Sequence, residues 1–319
     1  MNMNKCKRRL STLGILFTVA TGIIHMINKM IIASSSLKNA VSSPEPRNYS
    51  WRFGNISYTR QGTGKPLLLI HDLQSGLSSY EWNKVRNSLS KNHEVYTLDL
   101  LGCGRSDKPR ITYTNFLYVQ LICDFIKNVI KKETDVIASG YSSSFLTMAC
   151  RNEGKLFHKI FFVNPPDFKE LNKIPSKNSA IQKLLLEIPI IGTMIYNIFM
   201  SRPNIDHSLS ENLFFNPFRI DPDFLDLYYE NAHQDDCGGK YLYASRIGNY
   251  TNINISNCIR ETNHSIYIIE GNYEKEGKDI VREYAAYNPA IETVFIKHAK
   301  HFPHIENPEE FLSQMDVLL

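Results

Sequence analysis

The stretch from Thr134 to Cys150 constrains this chain more than any other. Asp135 to Ser139 is a short apolar run centred on Val136 and Ile137, the pattern of a buried parallel strand. Gly140-Tyr141-Ser142-Ser143-Ser144 follows, and Phe145, Leu146, Met148 and Ala149 then suit a buried helix. Strand, sharp turn with a central serine, then helix is the setting of a serine nucleophile lifted on a strained turn. Gly140 and Ser144 are the small residues that such a turn needs on either side of Ser142. Alone, the same residues also read as a serine-rich loop.

The 319 residues suit one large α/β domain with an insertion. The net charge of +4 comes from Lys5, Lys7, Arg8 and Arg9, and the rest of the chain balances. A nucleic-acid partner is therefore not expected. The six cysteines show no metal spacing, so neither structural zinc nor any other metal or cofactor is expected. After the basic head, Leu10 to Ala33 is apolar and long enough to cross a bilayer. An uncleaved membrane anchor is the favoured reading, with a signal peptide or a helix lying on the surface as alternatives. The basic residues then place the N-terminus in the cytoplasm and the domain outside it. Asn39 to Asn48 reads as a linker, so residues 1–48 form an anchor and linker.

From Trp51 onward, short strands alternate with helices. Trp51 to Arg60 gives a hairpin around Gly54-Asn55, Pro66 to Ile70 a buried strand, Glu94 to Leu100 another, and Asn115 to Lys131 a helix. Such alternation predicts a mostly parallel sheet with helices on both faces. Two further stretches are distinctive: His71-Asp72-Leu73 after a strand, and Asp99-Leu100-Leu101-Gly102-Cys103-Gly104-Arg105-Ser106-Asp107-Lys108-Pro109 after the next. With these in view, Trp51 to Leu319 resembles the α/β-hydrolase superfamily, in the branch that carries a cap. The resemblance implies a hydrolase core at 49–167 and 264–319 and a helical cap at 168–263.

It also implies a catalytic set in the order Ser142, Glu274, His301. Glu274 stands in Gly271-Asn272-Tyr273-Glu274, where relatives place an acid, and His301 in His298-Ala299-Lys300-His301-Phe302-Pro303-His304. Asp167 is the alternative acid, and His304 is expected to be structural. The backbone N–H groups of Ser143 and Leu73 would form the oxyanion hole. Asp72 departs from the glycine usual beside Leu73, and its charge there would be unwelcome. Two function classes follow. One is a serine hydrolase that cleaves a small ester, thioester or amide with an apolar acyl part. The other is a non-catalytic relative that binds a small apolar ligand or partner. Chemistry that uses an elbow aspartate is disfavoured, because Ser142 is taken to stand there.

Overall fold

The computed structural model describes residues 3–35 and 46–319, so most of the expected linker lies outside the described residues. Each apolar run of the sequence becomes a strand whose alternate residues feed opposite faces. Leu68 and Ile70 of β3 (Lys65–Ile70) enter one core cluster, while Leu67 and Leu69 enter the other. The same alternation holds in β5 (Thr134–Ser139), β6 (Phe157–Val163) and β7 (Ser265–Gly271). These strands join β1 (Arg47–Trp51), β2 (Gly54–Gln61), β4 (His93–Leu98) and β8 (Glu292–Ile296) in one eight-stranded sheet, of order β1-β2-β4-β3-β5-β6-β7-β8. Only β1–β2 and β2–β4 pair antiparallel.

One face of the sheet is covered by α3 (Asn115–Phe125), α4 (Ser142–Asn152) and α12 (Gly277–Tyr287), and the other by α2 (Asn83–Leu89) and α14 (Pro308–Leu318). The expected hairpin forms, with its turn at Arg52–Phe53 rather than Gly54-Asn55. Gly54 belongs to β2 because it packs on Asp107, whose carboxylate accepts from Asn55 N at 2.8 Å.

Between β6 and β7 the chain runs through α5 (Phe168–Leu171), α6 (Lys177–Glu187), α7 (Ile191–Phe199), α8 (Arg202–Ser208), α9 (Pro222–Cys237), α10 (Gly239–Ile247) and α11 (Ser256–Glu261). Tyr196, Leu209, Phe214 and Phe224 of this insertion pack with Leu77, Phe302 and Ile305 from loops that follow the strands. The last of these, Ile305, lies in α13 (Pro303–Glu306). The insertion thus roofs the ends of the strands, where parallel sheets place their sites.

At the end of α9, Asp235, Asp236 and Cys237 all take left-handed backbone, with φ of 51°, 58° and 60°. Two lysines hold this strained run. Lys108, its side chain fully buried, gives its ammonium to Gly104 O at 2.6 Å and Asp235 Oδ2 at 3.0 Å. Lys29 of the N-terminal helix α1 (Met3–Ser35) meets Asp236 at 2.7 Å. From Thr12 to Ser35, α1 is long and apolar enough to cross a membrane, and most of it lies exposed.

Candidate active site

The turn after β3 is locked before any chemistry is considered. Leu100 N donates to His71 Nε2 at 3.0 Å, so the ring proton is on Nδ1 and donates to Asp72 O at 2.7 Å. Asp72 N donates to Glu81 Oε2 at 3.0 Å. His304 Nε2 lies 3.2 Å from the other oxygen of Glu81, and its ring stacks on Trp82 at 4.3 Å. All of these groups are buried.

The carboxylate that this turn presents is the centre of the site. Asp72 Oδ1 accepts from two backbone N–H groups, Leu73 and Tyr141, each at 2.8 Å. Asp72 Oδ2 accepts from Gln74 Nε2 at 2.8 Å. Across from it, β5 ends at Ser139 and the apex of the turn is Gly140, at φ 52°. A Cβ on Gly140 would sit 2.2 Å from Asp72 Oδ1 and 2.3 Å from Cγ. The space of the apex side chain is therefore filled by a carboxylate from the neighbouring turn.

This corrects the expected register. Ser142 is two residues past the apex and is the first residue of α4; its hydroxyl donates to His71 O at 2.6 Å. Ser143 N points back to Gly140 O at 3.2 Å and is not an oxyanion donor. Tyr141 N takes that place beside Leu73 N, and both are occupied. The structure does not join Ser142 to His301. It does bring His301 and Glu274 together, with Nδ1 3.9 Å from Oε2, while Nε2 faces Asp72 Oδ2 at 3.5 Å. Asp167, the alternative acid, caps α5 by accepting from Glu170 N.

Burial alone would lower the His301 pKa. The Asp72 carboxylate, with help from Glu274, outweighs that and holds the ring up at about 9. Burial likewise works against the charge of Asp72, yet His301, Arg246 and Gln74 keep its carboxyl well below the usual range. The site is thus a carboxylate–imidazolium pair near neutrality. Arg246 also donates to Leu73 O at 2.6 Å and lies 3.7 Å over the Tyr141 ring, bracing both N–H donors.

Behind Glu274, Glu270 is fully buried, with no hydrogen bond to either carboxylate oxygen. Burial, then the charge of Glu274, push it up to about 8. A carboxyl raised in this way weakens the fold as pH climbs from its unfolded value through 8. Glu270→Gln is expected to raise the urea midpoint at pH values above about 8 and to leave it almost unchanged near pH 4, where both side chains are neutral.

Above Gln74 lies a cavity of about 200 Å³, lined mainly by Phe199, Met200, Ile205, Leu209, Leu213 and Tyr228. Tyr228 Oη donates to Gln74 Oε1 at 3.0 Å, so cavity and carboxylate are linked through one glutamine. Gln74, Arg246 and Tyr141 were not singled out from the sequence, and Gly140 was read as a neighbour of the apex rather than the apex itself. Asp72 was the available signal, since an aspartate in a glycine's place must find room somewhere. Among the described residues, no group of three or more His, Cys, Asp or Glu is arranged to hold a metal ion.

A mostly parallel sheet, a roofing insertion and an acid–histidine pair at the strand ends define the α/β-hydrolase class. The chain belongs to the Alpha/beta hydrolase family, whose profile matches residues 67–314. It is 21% identical over 278 residues to a proline iminopeptidase of Heyndrickxia coagulans, covering 82% of this chain and 93% of that one. It is 33% identical over 93 residues to 2-hydroxy-6-oxo-6-(2'-aminophenyl)hexa-2,4-dienoic acid hydrolase of Metapseudomonas resinovorans, a match spanning 27% of this chain and 32% of that enzyme. These relatives are hydrolases. Among solved structures, a serine hydrolase involved in carbazole degradation superposes with a TM-score of 0.70 at 19% identity, covering 86% of this chain and 99% of that one. A membrane phospholipase A superposes with a TM-score of 0.68 at 15% identity, covering 98% and 97%.

Proposed function

We propose that this protein holds a small, mostly apolar molecule in the cavity beneath its cap and does not cleave esters through an acyl-serine. The observation that carries this is the Asp72 carboxylate seated on Leu73 N and Tyr141 N. Acyl transfer needs that N–H pair free for a developing oxyanion, and a hydroxyl facing a base. Here the pair carries a permanent anion, and the Ser142 hydroxyl is engaged with a carbonyl. The lining of the cavity, with apolar walls and Gln74, Asn204, Ser208 and Tyr228 as polar groups, is the make-up of a small-molecule pocket.

Fluorophosphonate is expected to give no Ser142-dependent labelling, and short-chain p-nitrophenyl esters no turnover that Ser142→Ala removes. The apolar fluorophore phenyl-naphthylamine is expected to bind, and Ser208→Trp at the cavity wall to weaken it at least about tenfold, worth about 1.4 kcal/mol. Labelling that vanishes in Ser142→Ala overturns the reading.

One observation favours a second reading, in which the hydrolase activity of the relatives is kept. Asp72 Oδ1 is held by two N–H groups while Oδ2 faces His301. A carboxylate held in this way can displace a leaving group from an electrophilic carbon, forming an ester at Asp72 Oδ2. The leaving group takes the His301 proton, which the lost Asp72 charge no longer holds. The neutral ring then takes a proton from water as it adds to the Asp72 carbonyl carbon and releases the alcohol. Turnover in heavy-oxygen water would leave the label in Asp72 under this reading, and an unlabelled Asp72 under the first.

The same proposal takes α1 as an uncleaved anchor with the domain outside the cytoplasm. Its support is that Asn28 and Lys29 of α1 are bonded to the cap, so cleavage near Ala33 would remove a docked element.

A further inference from the structure

A helix on a water-exposed surface turns its apolar stripe inward. Two consecutive cap helices do the reverse. On α6, Ile181, Leu184 and Leu185 face outward, and on α7 Ile191, Ile198 and Phe199 do so, all between 40% and 63% exposed. Their spacing is that of a helix stripe, while the inward positions are few, chiefly Leu186 and Tyr196. The two helices meet at an angle of 102°, through a turn where Ile190 takes φ 64°. That backbone is costly for a β-branched residue, so the bend is imposed by the fold.

The anchor arrives at this same bend. Asn28 of α1 donates from Nδ2 to Ile190 O at 2.9 Å and accepts at Oδ1 from Asn197 Nδ2 at 2.9 Å. Before this buckle, α1 exposes Phe17, Val19, Ile23 and Met26. The polar buckle joins α1 to the α6–α7 bend, and the α6–α7 stripe begins beside it. Phe199 belongs both to that stripe and to the wall of the 200 Å³ cavity.

We infer that the α6–α7 stripe rests in the surface of the lipid bilayer that α1 enters, so that the cavity takes its apolar ligand from the membrane. An exposed apolar face continuous with a membrane-spanning helix is the arrangement of an interfacial helix pair. This rests on the proposal that α1 is an anchor, and the test reads that proposal separately.

The full chain, carrying Cys6→Ser because the other five cysteines are buried, is reconstituted into phosphatidylcholine vesicles. Single nitrobenzoxadiazole labels are placed at Val19→Cys, Leu184→Cys, Ile198→Cys and Val317→Cys. Doxyl-labelled lipid is expected to quench the first three several-fold more strongly than Val317→Cys, on the exposed C-terminal helix. Quenching at Val19→Cys without quenching at Leu184→Cys and Ile198→Cys overturns this inference and leaves the anchor standing. No quenching at Val19→Cys overturns the anchor reading itself. Blue-shifted but unquenched emission at Leu184→Cys means that a second copy covers the stripe, which also overturns the inference. None of these readouts needs a ligand, so failure of the cavity to bind one is a separate result.

Discussion

Gly140→Ala is expected to be one of the most damaging single substitutions in the chain. Its Cβ would stand 2.2 Å from Asp72 Oδ1, so the carboxylate must leave both N–H donors. Each charge-assisted hydrogen bond lost costs about 1.5–3 kcal/mol, and a side chain in left-handed backbone adds about 1–2 kcal/mol. A total of at least about 4 kcal/mol is expected in urea unfolding. Asp72→Gly introduced with it should recover only part of the loss, because it removes the group that the new Cβ strikes but returns neither the two hydrogen bonds nor the left-handed cost. The variant Asp72→Gly with Gly140→Ser goes further. It places a hydroxyl at the apex of the turn and frees Leu73 N and Tyr141 N, and a gain of fluorophosphonate labelling is expected. If Gly140→Ala unfolds at the wild-type urea concentration, the packing of Asp72 against the apex is wrong.

His304→Ala is expected to cost about 3–5 kcal/mol, because it empties the space of a fully buried ring and takes away the neighbour of Glu81 Oε1. It also removes a ring stacked on Trp82. The effect should reach the site, since Glu81 holds Asp72 N. An Asp72 turn that has loosened would support the His301 charge less, so the His301 titration is expected to fall from about 9 toward its ordinary value, measured by proton NMR. Replacing His304 by Phe, which fills the ring's space and leaves Glu81 on Asp72 N, should cost much less than His304→Ala. An equal cost for both variants would show that the volume of the ring is not what matters.

The sheet was legible because the alternation of strands and helices carries it, whereas the cap was expected from the family resemblance. Runs such as Leu67–Ile70 and Phe161–Val163 admit little besides buried parallel strands. His301 and Glu274 came from the family resemblance, and the structure brings the two side chains together, with Nδ1 3.9 Å from Oε2. The register of the elbow was not legible in the same way. Gly-x-Ser-x-Ser says that a tight turn is near, but β5 decides where it falls by running on through Ser139. The residue that settles the matter is far away in the chain: Asp72 needs the empty side-chain space that only a glycine at the apex provides. Pairings of that kind, between a carboxylate and a missing Cβ, leave no trace in local periodicity. Asp167 was ambiguous for a related reason, because a carboxylate after a strand serves equally as a helix cap, and here it does.

The Lys108 side chain has a kinetic consequence. It lies entirely within the protein between the core loop and the end of α9, with Gly104 O, Gln234 Oε1 and Asp235 Oδ2 around its ammonium. Swinging the insertion away from the sheet would take Gln234 Oε1 and Asp235 Oδ2 from a buried ammonium and leave it only the carbonyls of its own loop. That raises the barrier to any hinged opening, and lid movements are slow even where they are easy. Exchange through the wall at Phe199 needs only a rotamer change, on the scale of nanoseconds rather than milliseconds. Under the proposed binding role, the residence time of a ligand is expected to be set by Phe199 and not by the travel of a lid.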